Sequence, residues 1–123
     1  MLIRPFHPDD AEQLAALFHA SVRQAGIGDY SVEQVEAWSR VPPDPESYIQ
    51  RSLEDRIFLV AIDDAGEPIG YGDLEISGHL DHLYCRPDVV GMGVGSTLYD
   101  ALEEAARSRG ISVLFVEASE AAR

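Results

Sequence analysis

The chain has 123 residues, 46% of them hydrophobic and 25% charged, which fits one packed globular domain and excludes disordered, collagen-like and coiled-coil classes. Nine Lys and Arg against 22 Asp and Glu give a net charge of −13. That field would repel phosphate backbones and anionic lipid, so neither nucleic acid nor a membrane is expected as a partner. Cys85 is the only cysteine, which excludes an internal disulfide and suits a reducing compartment. Without a long apolar run or a signal peptide, the chain is expected to be cytoplasmic.

One short strand and a long helix are predicted at the start of the chain. The apolar stretch at residues 2–4, confined by Pro5, indicates a first or edge strand. Asp9 and Glu12 have capping-box spacing before a helical apolar stripe, and this helix is predicted to end at Gly26 and Gly28.

Two further helices are marked by their N-terminal residues. Ser31 and Gln34 repeat the capping-box spacing, which predicts a second helix that carries Trp38. Asp44 followed by Pro45 is typical of the N-cap and first residue of a third, short helix. The first half of the chain is therefore predicted to be mainly helical.

Most of the sheet is predicted in the second half. Apolar runs at residues 57–62, 69–76 and 79–85 are separated by turn residues, which predicts an antiparallel meander. A helix ending at Gly110 and an apolar strand at 111–116 would complete a crossover, whose two strands lie parallel. The predicted fold class is α/β (α+β-like), with a mixed, mostly antiparallel central sheet and helices on both faces.

A glycine-rich loop lies between a predicted strand and a predicted helix. Glycines let backbone N–H groups approach a ligand closely, and a helix start adds unpaired donors and partial positive charge, which together suit a phosphate. A tight turn that only permits close packing stays open as the alternative. The loop consists of Val90, Gly91, Met92, Gly93, Val94, Gly95 and Ser96.

Nucleotide-binding patterns fit this loop poorly. No Gly-Lys-Ser or Gly-Lys-Thr follows, which excludes a P-loop, and the spacing G-x-G-x-G differs from the dinucleotide pattern. The stretch after Gly95 is also too short to complete a doubly wound sheet. The sequence therefore gives only weak support to a nucleotide-binding regulator, which ranks below the two functions considered next.

The strand and loop resemble those of the GNAT superfamily of acetyl-CoA-dependent N-acetyltransferases. Residues 82–87, His-Leu-Tyr-Cys-Arg-Pro, are similar to the family's strand leading into its cofactor loop, and the loop matches the family motif at Gly93 and Gly95. Val90 stands where the family has Arg or Gln. The resemblance covers nearly the whole chain and implies a GNAT-like acetyl-CoA-binding fold. It also implies direct acetyl transfer to a primary amine of a small molecule, an N-terminus or a lysine.

The resemblance also implies a set of cofactor-binding residues. Main-chain groups of Leu83, Tyr84 and Cys85 would meet the pantetheine arm, and the amides of residues 90–96 would hold the pyrophosphate. Because the Val90 side chain offers no charge or donor, affinity is expected to be reduced unless Arg86 compensates. The family's last helix and strands, with the tyrosine acid, would lie beyond the last residue. The chain is thus expected to be one N-acetyltransferase domain, 1–123, incomplete at its C-terminus; the alternative is a shortened form whose last strand, 111–116, has an exposed edge.

Amine acetylation needs a base, because a free amine of pKa about 10.4 must lose a proton before it attacks. Simple strand alternation places one set of β residues together, namely His79, Asp81, Leu83 and Cys85. The other face would carry Leu80, His82 and Tyr84. Family proteins often place the base on the first face, so Asp81 and His79 are the leading candidates, ahead of Glu75, Asp73 and His82. A solvated or paired strand residue is the alternative for each.

Several residues have a structural as well as a functional interpretation. Cys85 could act as a nucleophile, but a packed thiol is favoured. No spaced ligand pair such as H-E-x-x-H occurs, so no metal is expected. Trp38 and Tyr30 could line an acceptor pocket or belong to the core. The alternative function is a non-catalytic CoA-binding or interaction module of the same fold, and the resemblance is compatible with a homodimer.

Overall fold

A computed structural model describes residues 1–29 and 42–115 of the chain. The predicted helix that begins at Ser31, with Tyr30 and Trp38, lies outside the described residues. Within them the elements are β1 (Leu2–Pro5), α1 (Ala11–Asp29), α2 (Pro45–Ser52), β2 (Arg56–Ile62), β3 (Pro68–Glu75), β4 (Leu80–Cys85) and α3 (Val94–Ser108).

The start of α1 differs from the predicted capping box. A 3₁₀ turn at Pro8–Asp10 precedes the helix, and His7 caps it by accepting the Asp9 backbone N–H at 3.2 Å. Asp10 completes the reciprocal pair by accepting the His7 N–H at 2.9 Å. Its buried carboxylate also takes both guanidinium nitrogens of Arg4 at 2.8 Å. The predicted pairing of Asp9 with Glu12 is therefore wrong: the same three-residue spacing is used two residues earlier, where Asp10 can also bind Arg4 of β1.

The start of α2 agrees with the prediction, whereas the end of α1 does not. Asp44 caps α2 as predicted, accepting the Glu46 N–H at 3.0 Å with Pro45 as first helical residue. By contrast, α1 passes through both Gly26 and Gly28 and continues to Asp29. A glycine costs a helix about 1 kcal/mol but does not forbid it, so the predicted stop was too early.

The described sheet has four antiparallel strands in the order β1-β2-β3-β4. Strands β2, β3 and β4 match the predicted meander to within one residue at each end. The expected fifth strand is reduced, within the described residues, to one parallel bridge between His79 and Phe115. There the Leu80 N–H donates to the Phe115 carbonyl at 2.8 Å, and the Phe115 N–H donates to the Gly78 carbonyl at 2.9 Å. The predicted parallel direction is thus confirmed, and so is the fold class.

Helices cover both faces of the sheet. On one face, α1 and α2 enclose an aromatic core that includes Tyr48, Phe58 and Tyr71. On the other, α3 presses directly onto β3, because a Cβ at Gly72 would lie only 2.5 Å from Leu102 Cδ1. A Cβ at Gly70 would likewise lie 3.0 Å from Leu98 Cδ1. These two glycines let the helix approach the sheet closely, which fixes the start of α3 beside the end of β4.

A β-bulge in β4 changes which residues face which layer. Asp73 pairs with His82, and the next residue of β3, Leu74, pairs with Leu80, so Asp81 is an extra residue in the strand. Leu80 and Leu83 consequently pack on the α3 side. The alternation that placed Asp81 with Leu83 and Cys85 is therefore wrong, because a bulge shifts the two-residue period.

Candidate functional site

The glycine loop ends at the first turn of α3. Gly91 and Gly93 both have φ 85°, the left-handed region that favours glycine. Gly93 is the N-cap, and no side chain caps the helix. The first helical bond runs from the Thr97 N–H to the Gly93 carbonyl at 3.0 Å. The amides of residues 94–96 precede that bond, so the helix offers them no acceptor, and they form a ready anion-binding site.

The side chains in the loop, and those just before it, bring little net charge to the loop. Val90 and Met92 are 71% and 72% exposed. Arg86 donates to Asp88 through Nε at 2.6 Å and through Nη2 at 3.1 Å, so its charge is matched within the loop. Within the described residues, the backbone amides are thus the main attraction that this loop offers a phosphate, and the pairing of Arg86 with Asp88 does not favour compensation for Val90.

The pantetheine residues predicted on β4 lie where the sheet order ends. The side of β4 away from β3 has, in the described part of the chain, no strand partner beyond the bridge at Phe115. Leu83 and Cys85 pack toward α3, whereas Tyr84 meets Phe18 of α1 with ring centroids 4.8 Å apart. Burial raises the pKa of the Cys85 thiol. A protonated, packed thiol is a poor nucleophile, which favours the structural interpretation of this cysteine.

Two arginines and two aspartates form a cluster between α2 and the sheet. Asp73 is fully buried and accepts Arg51 Nη1 at 2.6 Å and Arg56 Nη1 at 3.1 Å. Asp81 accepts the same two guanidinium groups through Oδ2, from Arg56 at 3.2 Å and from Arg51 in a very short contact. The bulge at Asp81 is what turns this carboxylate toward the arginines.

The arginines control the charge of Asp81. Partial burial acts to raise the pKa of Asp81, but the hydrogen bond and positive charge of Arg51 outweigh it and hold the pKa below its usual range. The carboxylate is therefore ionised at neutral pH and is a weak base. Sequence reasoning ranked Asp81 first and did not find Arg51 or Arg56, since neither belongs to a local motif that indicates a site.

His79 and Glu75 face each other across the turn between β3 and β4. His79 Nδ1 lies 2.5 Å from Glu75 Oε1. The His79 ring stacks on the Phe115 ring, with the ring centroids 5.4 Å apart. The Glu75 N–H also donates to the His79 carbonyl at 2.8 Å, which holds the two backbones in register. The side chain of His79 is 18% exposed. An imidazole fixed by a carboxylate and still reached by solvent can accept a proton from a bound group.

A second histidine belongs to a buried hydrogen-bond chain. The Tyr48 and Tyr71 hydroxyls are 3.1 Å apart, and the Tyr71 hydroxyl lies 3.0 Å from His82 Nδ1. Burial, with the positive charge of Arg51, lowers the pKa of His82 to about 4. His82 is thus neutral at physiological pH.

The low pKa of His82 predicts an acid-sensitive stability. In the unfolded chain His82 has its ordinary pKa of 6.5, whereas in the folded chain its pKa is about 4. The contribution of His82 to the free energy of unfolding is therefore fully present above pH 6.5 and is lost as the pH falls to 4. The loss from this group is about 3 kcal/mol at most. Urea unfolding at several pH values should show this slope, and His82→Gln should flatten it. An unchanged slope in the variant would assign it to other groups.

The described part of the chain contains no helix long and apolar enough to cross a membrane.

Residues 27–123 match the family model "Acetyltransferase (GNAT) domain". The chain is 27% identical over 100 residues to the uncharacterized N-acetyltransferase YafP of Escherichia coli K12, a match covering 81% of this chain and 63% of that protein. It is 33% identical over 117 residues to an L-methionine sulfoximine/L-methionine sulfone acetyltransferase of Pseudomonas aeruginosa, with 77% and 68% covered.

Solved structures show the same likeness. A GCN5-related N-acetyltransferase from Rhodopseudomonas palustris superposes with a TM-score of 0.83 and 42% identity, over 98% of this chain and 74% of that one. The PaiA N-acetyltransferase of Thermoplasma acidophilum, solved with coenzyme A, gives a TM-score of 0.78 and 27% identity, over 89% and 74%. The chain therefore spans 63% to 74% of the length of these relatives.

Proposed function

The chain belongs to the GNAT acetyltransferase family, and from that premise we propose that it transfers an acetyl group from acetyl-CoA to a primary amine in a ternary complex. The observation that carries the proposal is the uncapped start of α3, where left-handed Gly93 precedes three amides without a helical acceptor. In a chain of net charge −13, a polyanionic cosubstrate needs such a local source of attraction.

The cofactor site of this proposal follows the strand and the loop. The amides at the start of α3, residues 94–96, bind the pyrophosphate together with those of Gly91 and Gly93, whereas the Val90 and Met92 amides already donate to the Pro87 carbonyl at 3.4 Å and the Val89 carbonyl at 3.1 Å. Main-chain groups of Leu83, Tyr84 and Cys85 line the pantetheine arm along the outer side of β4. A relative of the same fold has been solved with coenzyme A, which supports this assignment. Backbone donors near Leu83 would stabilise the oxyanion of the tetrahedral intermediate, worth about 2.7–4 kcal/mol per donor in other enzymes.

For the chemical step we assign the base to His79 and a supporting role to Asp81. The amine nitrogen attacks the thioester carbonyl carbon, the C–S bond breaks, CoA leaves as the thiolate, and the amine proton passes to His79. Glu75 orients the imidazole and stabilises its protonated form. Asp81, held ionised by Arg51 and Arg56, contributes negative charge near the cationic acceptor rather than taking the proton.

The acceptor is proposed to be a small amine. The Pseudomonas relative is named for methionine sulfoximine and methionine sulfone, so these two compounds are the first acceptors to assay. The acidic surface favours acceptors with net positive charge, so polyamines are the second set. We propose a cytoplasmic location, which suits the free thiol of Cys85. We also propose that the protein is a homodimer.

The test is an acetylation assay that follows release of CoA, with acetyl-CoA binding measured in parallel by calorimetry. We expect His79→Gln to lower kcat about 100-fold or more while the acetyl-CoA dissociation constant stays the same. His7→Gln serves as the matched control, because His7 caps the turn before α1 and lies outside the site. Full activity in His79→Gln would remove this residue from the mechanism.

A non-catalytic CoA-binding module is the second candidate function. The exposed Val90 at the position where the resembling family has Arg or Gln favours it. Saturable acetyl-CoA binding without acetylation of any amine would support the module. Binding of neither acetyl-CoA nor CoA would contradict both functions.

A further inference from the structure

We propose that Glu75, His79 and Asp81 form a binding site for a divalent transition-metal ion of the zinc class, and that an ion bound there blocks His79. One potential ligand atom from each residue lies within 4.8 Å of the other two. A nitrogen and two carboxylate oxygens are ligands that Zn²⁺ and Co²⁺ accept in three-ligand sites completed by water. The blocking effect rests on the proposed function, whereas the binding itself does not.

The three ligands are held by the backbone rather than by flexible side chains alone. Glu75 and His79 flank a tight turn in which the Gly78 N–H donates to the Glu75 carbonyl at 2.9 Å. The bridge to Phe115 and the stacked ring fix His79 from the other side. Asp81 follows two residues after His79, where the bulge and the arginine contacts hold its carboxylate. A pre-arranged set of ligands reduces the ordering cost of binding.

Each carboxylate can offer an oxygen to a metal: Asp81 has one that the arginines do not use, and Glu75 offers Oε1 once its contact with His79 opens. Asp81 uses Oδ2 for both arginines, and Glu75 uses Oε1 for His79. Within the described ranges, Asp81 Oδ1 has no hydrogen-bond or ion-pair partner. An ion can therefore be bound without breaking the contacts that Asp81 makes with the arginines.

The charge around the site favours a cation despite the nearby arginines. Arg51 and Arg56 are matched by Asp73 and Asp81, and Arg56 also contacts Glu54 at 2.8 Å. Glu75 adds a further carboxylate beside His79. The group thus carries more carboxylates than guanidiniums, and a divalent ion would neutralise the excess.

Binding requires a small local rearrangement. His79 Nδ1 and Glu75 Oε1 are now 2.5 Å apart, whereas two ligands of a tetrahedral Zn²⁺ at about 2.0–2.2 Å from the ion lie about 3.4 Å apart. The metal replaces the proton between these atoms, so the pair opens by about 1 Å. With the ion on Nδ1, the neutral imidazole carries its one proton on Nε2, so Nε2 cannot accept the proton of the acceptor amine, which is the basis of the expected inhibition.

The experiment uses the full chain after treatment with a chelator that is then removed. Titration with CoCl₂, followed by visible d–d absorption, should saturate at one ion per chain, and ZnCl₂ should displace the signal. Glu75→Gln and His79→Gln should weaken binding at least about 10- to 100-fold, since loss of a ligand's hydrogen-bond partner alone costs that much. Asp64→Asn is the matched control, because it removes one exposed carboxylate far from the turn in a chain of high negative charge.

Native protein gives a readout that does not depend on a variant folding. In NMR spectra Co²⁺ should broaden the His79 ring signals at stoichiometric amounts and leave those of His7 sharp. Equal weakening in Asp64→Asn, uniform broadening of all histidines, or no saturable absorption would each overturn the site. Saturable binding without any acetyl transfer would support the site and count against the proposed function. Acetyl transfer without saturable binding, or without zinc inhibition, would overturn the site or its regulatory role and leave the function intact.

Discussion

Gly93→Val should reduce acetyl-CoA affinity about tenfold or more. The residue has φ 85°, and a non-glycine residue in this region costs about 1–2 kcal/mol, with more for a β-branched side chain. Nothing lies within 4 Å of the added Cβ, so the effect is one of backbone conformation and not of a clash. A loop that relaxes to negative φ turns the first amides of α3 away from the pyrophosphate, and each 1.4 kcal/mol lost is a factor of ten.

The control for this variant is Gly66→Val. Gly66 has φ 81° and also has nothing within 4 Å of an added Cβ, but it lies in the turn between β2 and β3. The two variants should lose similar stability in urea unfolding, while only Gly93→Val loses affinity in calorimetric titration with acetyl-CoA. Equal affinity in both variants would contradict the assignment of the pyrophosphate to the start of α3.

Asp73→Asn should lower the free energy of unfolding by about 3–5 kcal/mol. Asp73 is fully buried and binds both Arg51 and Arg56. The substitution removes the charge but keeps the size of the side chain, so two guanidinium groups lose their innermost counter-ion in a region of low dielectric. Urea unfolding with an unchanged m-value would show that the loss is one of stability.

Asp81→Asn provides the matched comparison, since it removes the same charge from the same two arginines. Its side chain is 28% exposed, so water can replace part of the interaction, and the expected loss is about 1–2 kcal/mol. A loss in Asp81→Asn as large as that in Asp73→Asn would mean that the two carboxylates share the arginines equally. The double variant should lose less than the sum of the single losses, because the two residues share partners.

Local features of the site were accessible from the amino-acid sequence. The cap at Asp44, the strands of the meander and the glycine loop before α3 depend on neighbouring residues alone, and the structure places them as predicted. Left-handed φ values at Gly91 and Gly93 follow from the same local chemistry. The chain's family could therefore be inferred from a strand, a loop and a helix start.

The catalytic candidates were only partly accessible. His79 and Asp81 were singled out by their strand, but the pairing of His79 with Glu75 depends on the register across the turn. Asp81 was assigned to the wrong layer, since a bulge leaves no signal in a pattern of alternating residues. The partnership of Asp73 and Asp81 with Arg51 and Arg56 joins α2 to three strands, so it exists only after the chain has folded.

The sequence by itself determined most of the elements, the acidic character of the chain and the glycine loop before α3, because each depends on composition or on residues a few positions apart. Only the tertiary structure decided the protonation and the neighbours of the candidate side chains. Burial and long-range contacts set the pKa of Asp81 and of His82. The close approach of α3 to Gly72 and the bulge in β4 then decided which of these groups share one face of the sheet.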